Sequence, residues 1–450
     1  MSKRILIFTA SIFLMIMIPL PIVSAQEDVI PAQEVVDHYI SLFNQDWNIG
    51  ESYDPQIDGL GYAQSYDRYG SPSFTPHIRP SLNVTDDMTI TPIESPTNSE
   101  DAIMELINSA NDSLLIEQMY IYETLDEILS SIINAYNRGV NVCVIQGHGI
   151  SEDHNNASAD ILETKGIEVR RLKSNSSIGI PFDIQHNKGI IVDGKVVLVS
   201  SINWSPTSLR DNRECGLIIE SAPIGAYYTD LFNYDWEGSE AYESSSVSFS
   251  PSNPMPNPSL DTFSGEMDVS ALACPDNCFG VVNGILSSAQ ESIWISTYTL
   301  SSPYLVETIR DRIADGVDVK LLLEKNQVSS SERAYNRWSM MNMTVLGVDM
   351  GDYNLTADGR WASSSFDFQH CKYAVVDGKT LIISSGNWGR SSCPKPQDDD
   401  DVDGNRDWWF VVYGDGNSSS LDLPWWAIVV GIFTGIVAVI GGIIKQRNKK

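Results

Sequence analysis

The chain has 450 residues, with 59 acidic against 29 basic side chains and a net charge of −30. Hydrophobic residues make up 42% of it, which is enough to bury cores and excludes wholesale disorder. The acidic excess argues against a basic nucleic-acid-binding surface, although it leaves room for phosphate chemistry in a locally positive cleft. The length allows two to three domains, or one large duplicated one.

The N-terminus reads as an export signal. Lys3 and Arg4 precede the apolar run Ile5 to Ile18, and Val23-Ser24-Ala25 offers a small-residue cleavage site, so residues 1–25 are expected to be a signal peptide. An uncleaved anchor is the alternative. At the far end, Pro424 to Ile444 carries no charge and is long enough to span about 30 Å of hydrocarbon. Trp425 and Trp426 stand at one interface and Lys445, Arg447, Lys449 and Lys450 at the other, which predicts a cytoplasmic tail and an extracytoplasmic body. With both cationic ends set aside, the body holds about 23 basic against 59 acidic residues, near −36.

Six cysteines (Cys143, Cys215, Cys274, Cys278, Cys371 and Cys393) suit an exported chain but admit fifteen pairings. Cys274 with Cys278 closes a small loop on one reading, and Cys371 with Cys393 braces a second. A zinc site is the poorer reading, because no further close Cys or His pair completes a tetrahedral set.

Within the body the predicted elements come in two series. Residues 26–90 form an N-terminal extension in which His38–Trp47 reads as a helix, and residues 48–98 read as irregular chain wrapping the first lobe. A helical stretch from Ala102 to Ala110 precedes the apolar strand Ser113–Tyr120. A second helix, Leu125 to Asn137, stops at Gly139, and the strand Val140–Ile145 follows. His148 and His154 then fall in a polar loop and read as solvated. The same order returns as Val281–Ala289, Ser292–Thr299, Tyr304–Asp315 with Gly316, and Val317–Leu323. Strand–helix–strand order with buried, non-alternating strands predicts α/β lobes, each with a mainly parallel sheet. The lobes are placed at 91–237 and 265–413, with a Ser- and Pro-rich linker at 238–264 and a juxtamembrane linker at 414–423.

Two echoes fix the duplication. QHNKGIIVDGKVVLVSSINW around His186 aligns without a gap with QHCKYAVVDGKTLIISSGNW around His370, at an offset of 184. More faintly, His38–Trp47 matches Tyr227–Trp236 at six of ten positions, as though a helix opened each unit.

The chemistry lies in the stronger echo. His186 and Lys188, like His370 and Lys372, are two apart on a strand and share a face, which sets an imidazole beside a fixed cation. A turn at Asp193-Gly194 or Asp377-Gly378 returns the chain as a hairpin, bringing Ser201 and Asn203, or Ser385 and Asn387, next to each pair. One histidine then attacks phosphorus while the other protonates the leaving oxygen, with a carboxylate (Glu214 or Asp407, each in an Asn-Arg-acid triplet) orienting the imidazole. Lys188 and Lys372 neutralise the phosphoryl oxygens, so the scheme calls for no metal and no cofactor.

The doubled H-x-K-x-x-x-x-D pattern, followed by a small-Ser-x-Asn element, resembles the phospholipase D superfamily over about Ile90 to Val412. The resemblance implies two α/β sandwich lobes packed as a pseudo-dimer and a phosphohistidine mechanism. It implies His186 and His370 as nucleophile and general acid, with His186 favoured as nucleophile. Lys188, Lys372, Asn203 and Asn387 become the phosphate contacts, Glu214 and Asp407 the histidine partners, and Asp193 and Asp377 structural residues. Departures are Ser200 and Ser384, where the family has glycine before the motif serine, and Asp407, shorter than the usual Glu and delayed by the insert Ser391 to Gly404. The run Asp398 to Asp401, continued by Asp403-Gly404-Asn405, resembles a calcium loop but has Phe410 where the bidentate Glu would stand. A solvated acidic insert is the preferred alternative.

The expected substrate is a phosphodiester. Phospholipid hydrolysis or phosphatidyl transfer at the outer membrane surface is favoured by the C-terminal tether. An exported nuclease is the second reading, against which the acidic body stands, and a non-catalytic phosphate-binding or scaffold protein is the third. The sequence sets no oligomeric state.

Overall fold

The computed structural model describes residues 30–59, 61, 80–175, 180–344, 357–394 and 404–414. The signal segment 1–25, the apolar run 424–444 with its tail, and the acidic run Asp398–Asp401 lie outside them. Among the described residues no helix is long and apolar enough to cross a membrane.

The first lobe grows around the strand Ser113–Gln118, buried at all but its first residue. Helices Ser99–Ser109 and Asp126–Asn137 flank it in sequence, and both bury apolar side chains at three- and four-residue spacing: Ala102, Ile103, Leu106 and Ile107 in one, Ile128, Leu129, Ile132 and Ile133 in the other. The second helix ends before Gly139, whose φ of +96° lets the chain turn into the strand Asn141–Gly147. That strand pairs in parallel with Ser113–Gln118 on one side and with Glu168–Asn175 on the other.

The opposite edge of Ser113–Gln118 is antiparallel. Lys188–Val192 lies against it, turns at Asp193-Gly194 into Val196–Ser200, and is followed in the sheet by Glu214–Glu220 and Leu82–Ser95. The expected mainly parallel sheet is therefore corrected to a mixed one. A tight hairpin can only return antiparallel, and the strands that follow add to the returned edge. The second lobe repeats the order with Ser292–Thr297, Asp318–Leu323, Ala357–Trp361, Lys372–Val376, Thr380–Ser384, Asn405–Tyr413 and Phe263–Cys274. The chain is thus a duplicated mixed α/β fold.

The two sheets are joined. Leu82–Ile90 pairs antiparallel with Phe263–Ala271 over nine positions, so hydrogen bonding runs from one lobe into the other. Between the sheets lie helices Pro31–Ile49 and Ala222–Gly238, burying Tyr39, Phe43, Tyr228 and Phe232 in a core drawn from both lobes. The faint echo of the sequence marks these two helices. They cross over, because Pro31–Ile49 packs on strands of the second lobe and Ala222–Gly238 on strands of the first. Outer helices cover the far face of each sheet with a core of its own.

Two further expectations change. Residues 82–95, expected as irregular chain, form the 14-residue strand Leu82–Ser95. Its Asn, Asp and Pro residues read as turn formers, yet the polar ones alternate outward in the first half while Ile90, Ile93 and their neighbours are buried in the second. Cys371 and Cys393 are not partners: Cys371 lies in the interlobe core, whereas Cys393 lies in the second-lobe core beside the Cys274–Cys278 disulfide. The stretch after Gly238 has little regular structure but is laid on the first lobe, where Lys165 donates to the Phe249 carbonyl and Asn134 to that of Ser252.

Candidate active site

The site is assembled where the two Asn-Arg-acid triplets meet the two His-x-Lys segments, each triplet against the segment of the other lobe. The backbone N–H of His186 donates to the Arg406 carbonyl at 3.0 Å, and that of His370 to the Arg213 carbonyl at 2.8 Å. Asn405 and Arg406 pair in parallel with Ile184 and Gln185, and Arg213 pairs with Gln369. Extended backbone then turns the next side chain of each triplet toward the facing histidine. Asp407 Oδ1 lies 2.9 Å from His186 Nδ1, and Glu214 Oε2 lies 2.8 Å from His370 Nδ1.

Both carboxylates are wholly buried, and the motif serines hold them. Ser201 Oγ donates to Glu214 at 2.6 Å and Ser385 Oγ to Asp407 at 2.9 Å, while the amide of Asn212 adds a 3.2 Å bond to Glu214. Burial alone would raise the Asp407 carboxyl, but His186, Lys188 and the Ser385 hydroxyl outweigh it and the net direction is down. An ionised acid on Nδ1 fixes the tautomer that carries its lone pair on Nε2, which at His186 lies 3.3 Å from Lys188 Nζ.

Each lysine sits against its own histidine. Lys188 Nζ is 3.0 Å from His186 Nδ1 and also donates to the His186 carbonyl; Lys372 Nζ is 3.0 Å from His370 Nδ1 and 2.7 Å from the His370 carbonyl. Burial, the largest cause, brings Lys188 down to about 7 and Lys372 to about 8. His186 is lowered by burial and by Lys188, and burial takes His370 to about 4. Both imidazoles are therefore neutral at pH 7.

The remaining predicted residues fall into two groups. Asn203 lines a cavity of about 230 Å³ with His370, Tyr120, Tyr122, Tyr298 and Phe368, and the side-chain oxygens of both Asn203 and Asn387 have no hydrogen-bond partner among the described residues. Asp193 and Asp377 lie away from this cavity at the hairpin turns. Asp193 Oδ1 accepts the backbone N–H groups of Asp112 and Ser113 at 2.8 and 2.9 Å, and Asp377 Oδ1 those of Glu291 and Ser292 at 2.7 and 2.8 Å. Ser200, standing where glycine was anticipated, donates to the Lys188 carbonyl at 2.9 Å, and Ser384 does the same to Lys372 at 3.4 Å. Gly216 makes the room for Ser200, since a Cβ there would lie 2.6 Å from Ser200 Cβ.

A family model described as cardiolipin synthase, PLD-like domain, matches residues 103–236 and again 283–414, one match in each lobe. The chain belongs to the phospholipase D superfamily. Among curated relatives it is similar to phospholipase D Y of Dictyostelium discoideum, with 27% identity over 33% of this chain and 36% of that one. A probable phospholipase D of Caenorhabditis elegans is 24% identical over 66% of this chain and 61% of its own. The chain thus spans between about a third and three fifths of these relatives. In fold it resembles the phosphatidylserine synthase of Haemophilus influenzae Rd KW20, with a TM-score of 0.50, 14% identity, and coverage of 73% of this chain and 83% of that one.

This phospholipase D-like site has supports that motif spacing did not reveal. Arg406, wholly buried, makes a 2.8 Å ion pair with Asp235 and a 3.3 Å contact with Asp276; Arg213 pairs with Asp46 at 2.9 Å and Glu94 at 3.4 Å. These arginines carry the carbonyls that receive His186 and His370, so Asp235 and Asp46 position the site through them. A signal was present: Asp46 and Asp235 occupy the same place in the two echoed helices. His154, expected in a solvated loop, lies instead in the helix Glu152–Thr164, bonded to Glu123 at 2.8 Å and stacked at 3.6 Å on Tyr122 of the cavity wall. The one group of three metal-ligand candidates among the described residues is Cys274, Cys278 and Cys393, of which two are already joined as a disulfide.

Proposed function

We propose that the chain is a phosphodiesterase that hydrolyses phospholipids, or transfers their phosphatidyl group, through a phosphohistidine. The observation that carries this is the crossed pair of dyads: two neutral imidazoles, each held at Nδ1 by a buried carboxylate and each beside a buried lysine. The bound phosphodiester anion favours the charged form of the imidazole beside it, so His370 takes up a proton as substrate binds. His186 Nε2 then forms a bond to phosphorus as the bond from phosphorus to the leaving oxygen breaks, and His370 gives that oxygen its proton. In the second half His370 takes a proton from water, the water oxygen attacks phosphorus, and the P–N bond breaks. An alcohol in place of water gives transfer. Lys188, Lys372, Asn203 and Asn387 face the phosphoryl oxygens in this scheme, whose charge grows in the transition state.

The names of the relatives and the family description support a lipid substrate. So does the C-terminal sequence, in which residues 424–444 would hold an extracytoplasmic body within about 35 Å of the bilayer across residues 413–423. The acidic body weighs against a long polyanion. The test is a side-by-side assay on phosphatidylglycerol vesicles and single-stranded DNA in EDTA, with His186→Asn and His370→Asn as controls. Lipid turnover lost in both variants is expected. DNA cleavage without lipid turnover overturns the substrate, and activity that survives both substitutions overturns the two-histidine mechanism.

A further inference from the structure

The two crossed junctions are built alike except in one respect. Beyond Glu214 stands Cys215, and beyond His370 stands Cys371; at the other junction the corresponding places hold Trp408 and Asn187. There the Trp408 indole fills the space over Gly189, where a Cβ would lie 2.4 Å from the ring. At the first junction Cys215 stands in the place of Trp408, and the wholly buried Tyr373 in the place of Gly189. Cys215 and Cys371 are both wholly buried in the interlobe core, and burial together with the neighbouring Cys215 thiol pushes the Cys371 thiol up.

The backbone explains why they meet. Arg213 pairs with Gln369, and the His370 N–H bonds to the Arg213 carbonyl at 2.8 Å, so the two segments run side by side in one direction. Side chains alternate along extended chain. Glu214 and His370 meet on one face at 2.8 Å, and Cys215 and Cys371 meet next to them in the apolar core. Of the other two free cysteines, Cys143 is half-buried in the first lobe, and Cys393 belongs to the second-lobe core beside a bond already made. Independently, the chain already carries one disulfide, Cys274–Cys278, as a chain that matures against an oxidant does.

We propose that Cys215 and Cys371 are an oxidative modification site, forming an interlobe disulfide directly behind the Glu214–His370 dyad. The co-reactant is a small-molecule or dithiol-derived disulfide. One cysteine thiolate displaces a thiol from it, the second thiolate attacks the mixed disulfide, and two thiols leave for each Cys–Cys bond formed, with the two cysteine protons passing to them. Because both sulfurs are buried once the lobes are packed, the exchange takes place as the lobes come together. The closed loop embraces the end of the first lobe, the interlobe stretch and most of the second lobe. It is far longer than the loop closed by Cys274–Cys278, so its chain-entropy effect is the larger of the two.

The test uses the full chain, reduced, unfolded and then refolded in an oxidised and reduced glutathione buffer, denatured in acid with N-ethylmaleimide, digested and mapped by mass. A peptide pair joining Cys215 to Cys371, lighter by two hydrogens than the separate peptides, is expected. Both residues carrying maleimide, or either joined to another cysteine, overturns the proposal. Thermal unfolding gives a second readout on the same protein. A reductant should lower the midpoint of the wild type by more than that of Cys215→Ala, and equal shifts in the two overturn the proposal.

Discussion

His186 and Asp407 are separated by 221 residues of chain and by 2.9 Å in space, and each belongs to a different lobe. The reciprocal pair, His370 and Glu214, is separated by 156 residues and 2.8 Å. A lesion in one copy of the motif is therefore felt by the histidine of the other.

That crossing gives the first prediction. Glu214→Gln should disable His370 and leave the His186–Asp407 pair in place, and Asp407→Asn should do the reverse. Each should lower kcat by about 10²- to 10⁴-fold, the range for an impaired general acid–base group. Combining Glu214→Gln with His370→Asn should cost little more than the histidine change alone, because both act on one imidazole. Steady-state rates on bis-p-nitrophenyl phosphate would measure this, and a multiplicative loss would contradict the pairing.

The pH dependence follows from burial. Burial lowers His186, so in the proposed scheme the neutral imidazole needed for attack persists below the ordinary 6.5 and the acid limb of kcat/KM should lie below that value. Lys188 and Lys372 at about 7 and 8 lose the charge that meets phosphate as pH rises, so the alkaline limb should begin near neutrality. Stability moves with the opposite sign on that side. Between about 7 and 10.5 the unfolded chain keeps a proton that folded Lys188 has released, so stability of the free protein rises with pH there. Between 6.5 and about 4 the unfolded chain binds a proton that folded His370 refuses, so stability falls as pH falls. Parallel rate and urea-unfolding series across pH 4–10 would show activity and stability diverging above neutrality.

The hairpin turns should separate stability from catalysis. Asp193 has a φ of +51° and satisfies successive backbone N–H groups at the start of the strand Ser113–Gln118. Asp193→Ala should cost about 1–3 kcal/mol, the usual range when charge-assisted bonds are lost. Denaturant midpoints should fall, while kcat measured on the folded fraction stays near that of the wild type.

The two anchoring arginines should not be equally sensitive. Arg406 and Asp235 are both fully excluded from water, whereas Arg213 and Asp46 sit nearer the surface and share Glu94. Asp235→Ala leaves a wholly buried guanidinium without its 2.8 Å partner and with Asp276 at 3.3 Å, and should cost about 3–5 kcal/mol. Asp46→Ala should cost less, because each arginine keeps a second carboxylate but Arg213 and Glu94 are reached by water and Arg406 and Asp276 are not. Urea titrations of the two variants would rank them, and the reverse order would contradict the burial argument.

Much of this was legible in the sequence because the chemistry is local. His-x-Lys on one strand, Asp-Gly at a turn and Ser-x-Asn on the returning strand are short-range patterns, and duplication printed them twice. The relation between copies was not legible. Nothing in the spacing of Glu214 or Asp407 says which histidine it serves, because that depends on two segments from different lobes lying side by side. The strand Leu82–Ser95 was missed for a similar reason: its pairing partners, Phe263–Cys274 and Glu214–Glu220, lie far along the chain and override its turn-forming residues. Asp46 and Asp235 were visible only as an unexplained coincidence between two helices until their arginine partners were placed.

The nine-position ladder between Leu82–Ile90 and Phe263–Ala271 bears on how substrate reaches the site. Lobes joined by ordinary side-chain packing can part about a hinge, but lobes sharing one hydrogen-bonded sheet cannot do so without tearing a row of backbone bonds. Access is then a matter for the mouth alone. At that mouth Val328 is exposed, whereas Tyr298 is packed on His370 and Tyr122 on His154, so in the proposed mechanism the two histidines would keep a fixed separation from one turnover to the next.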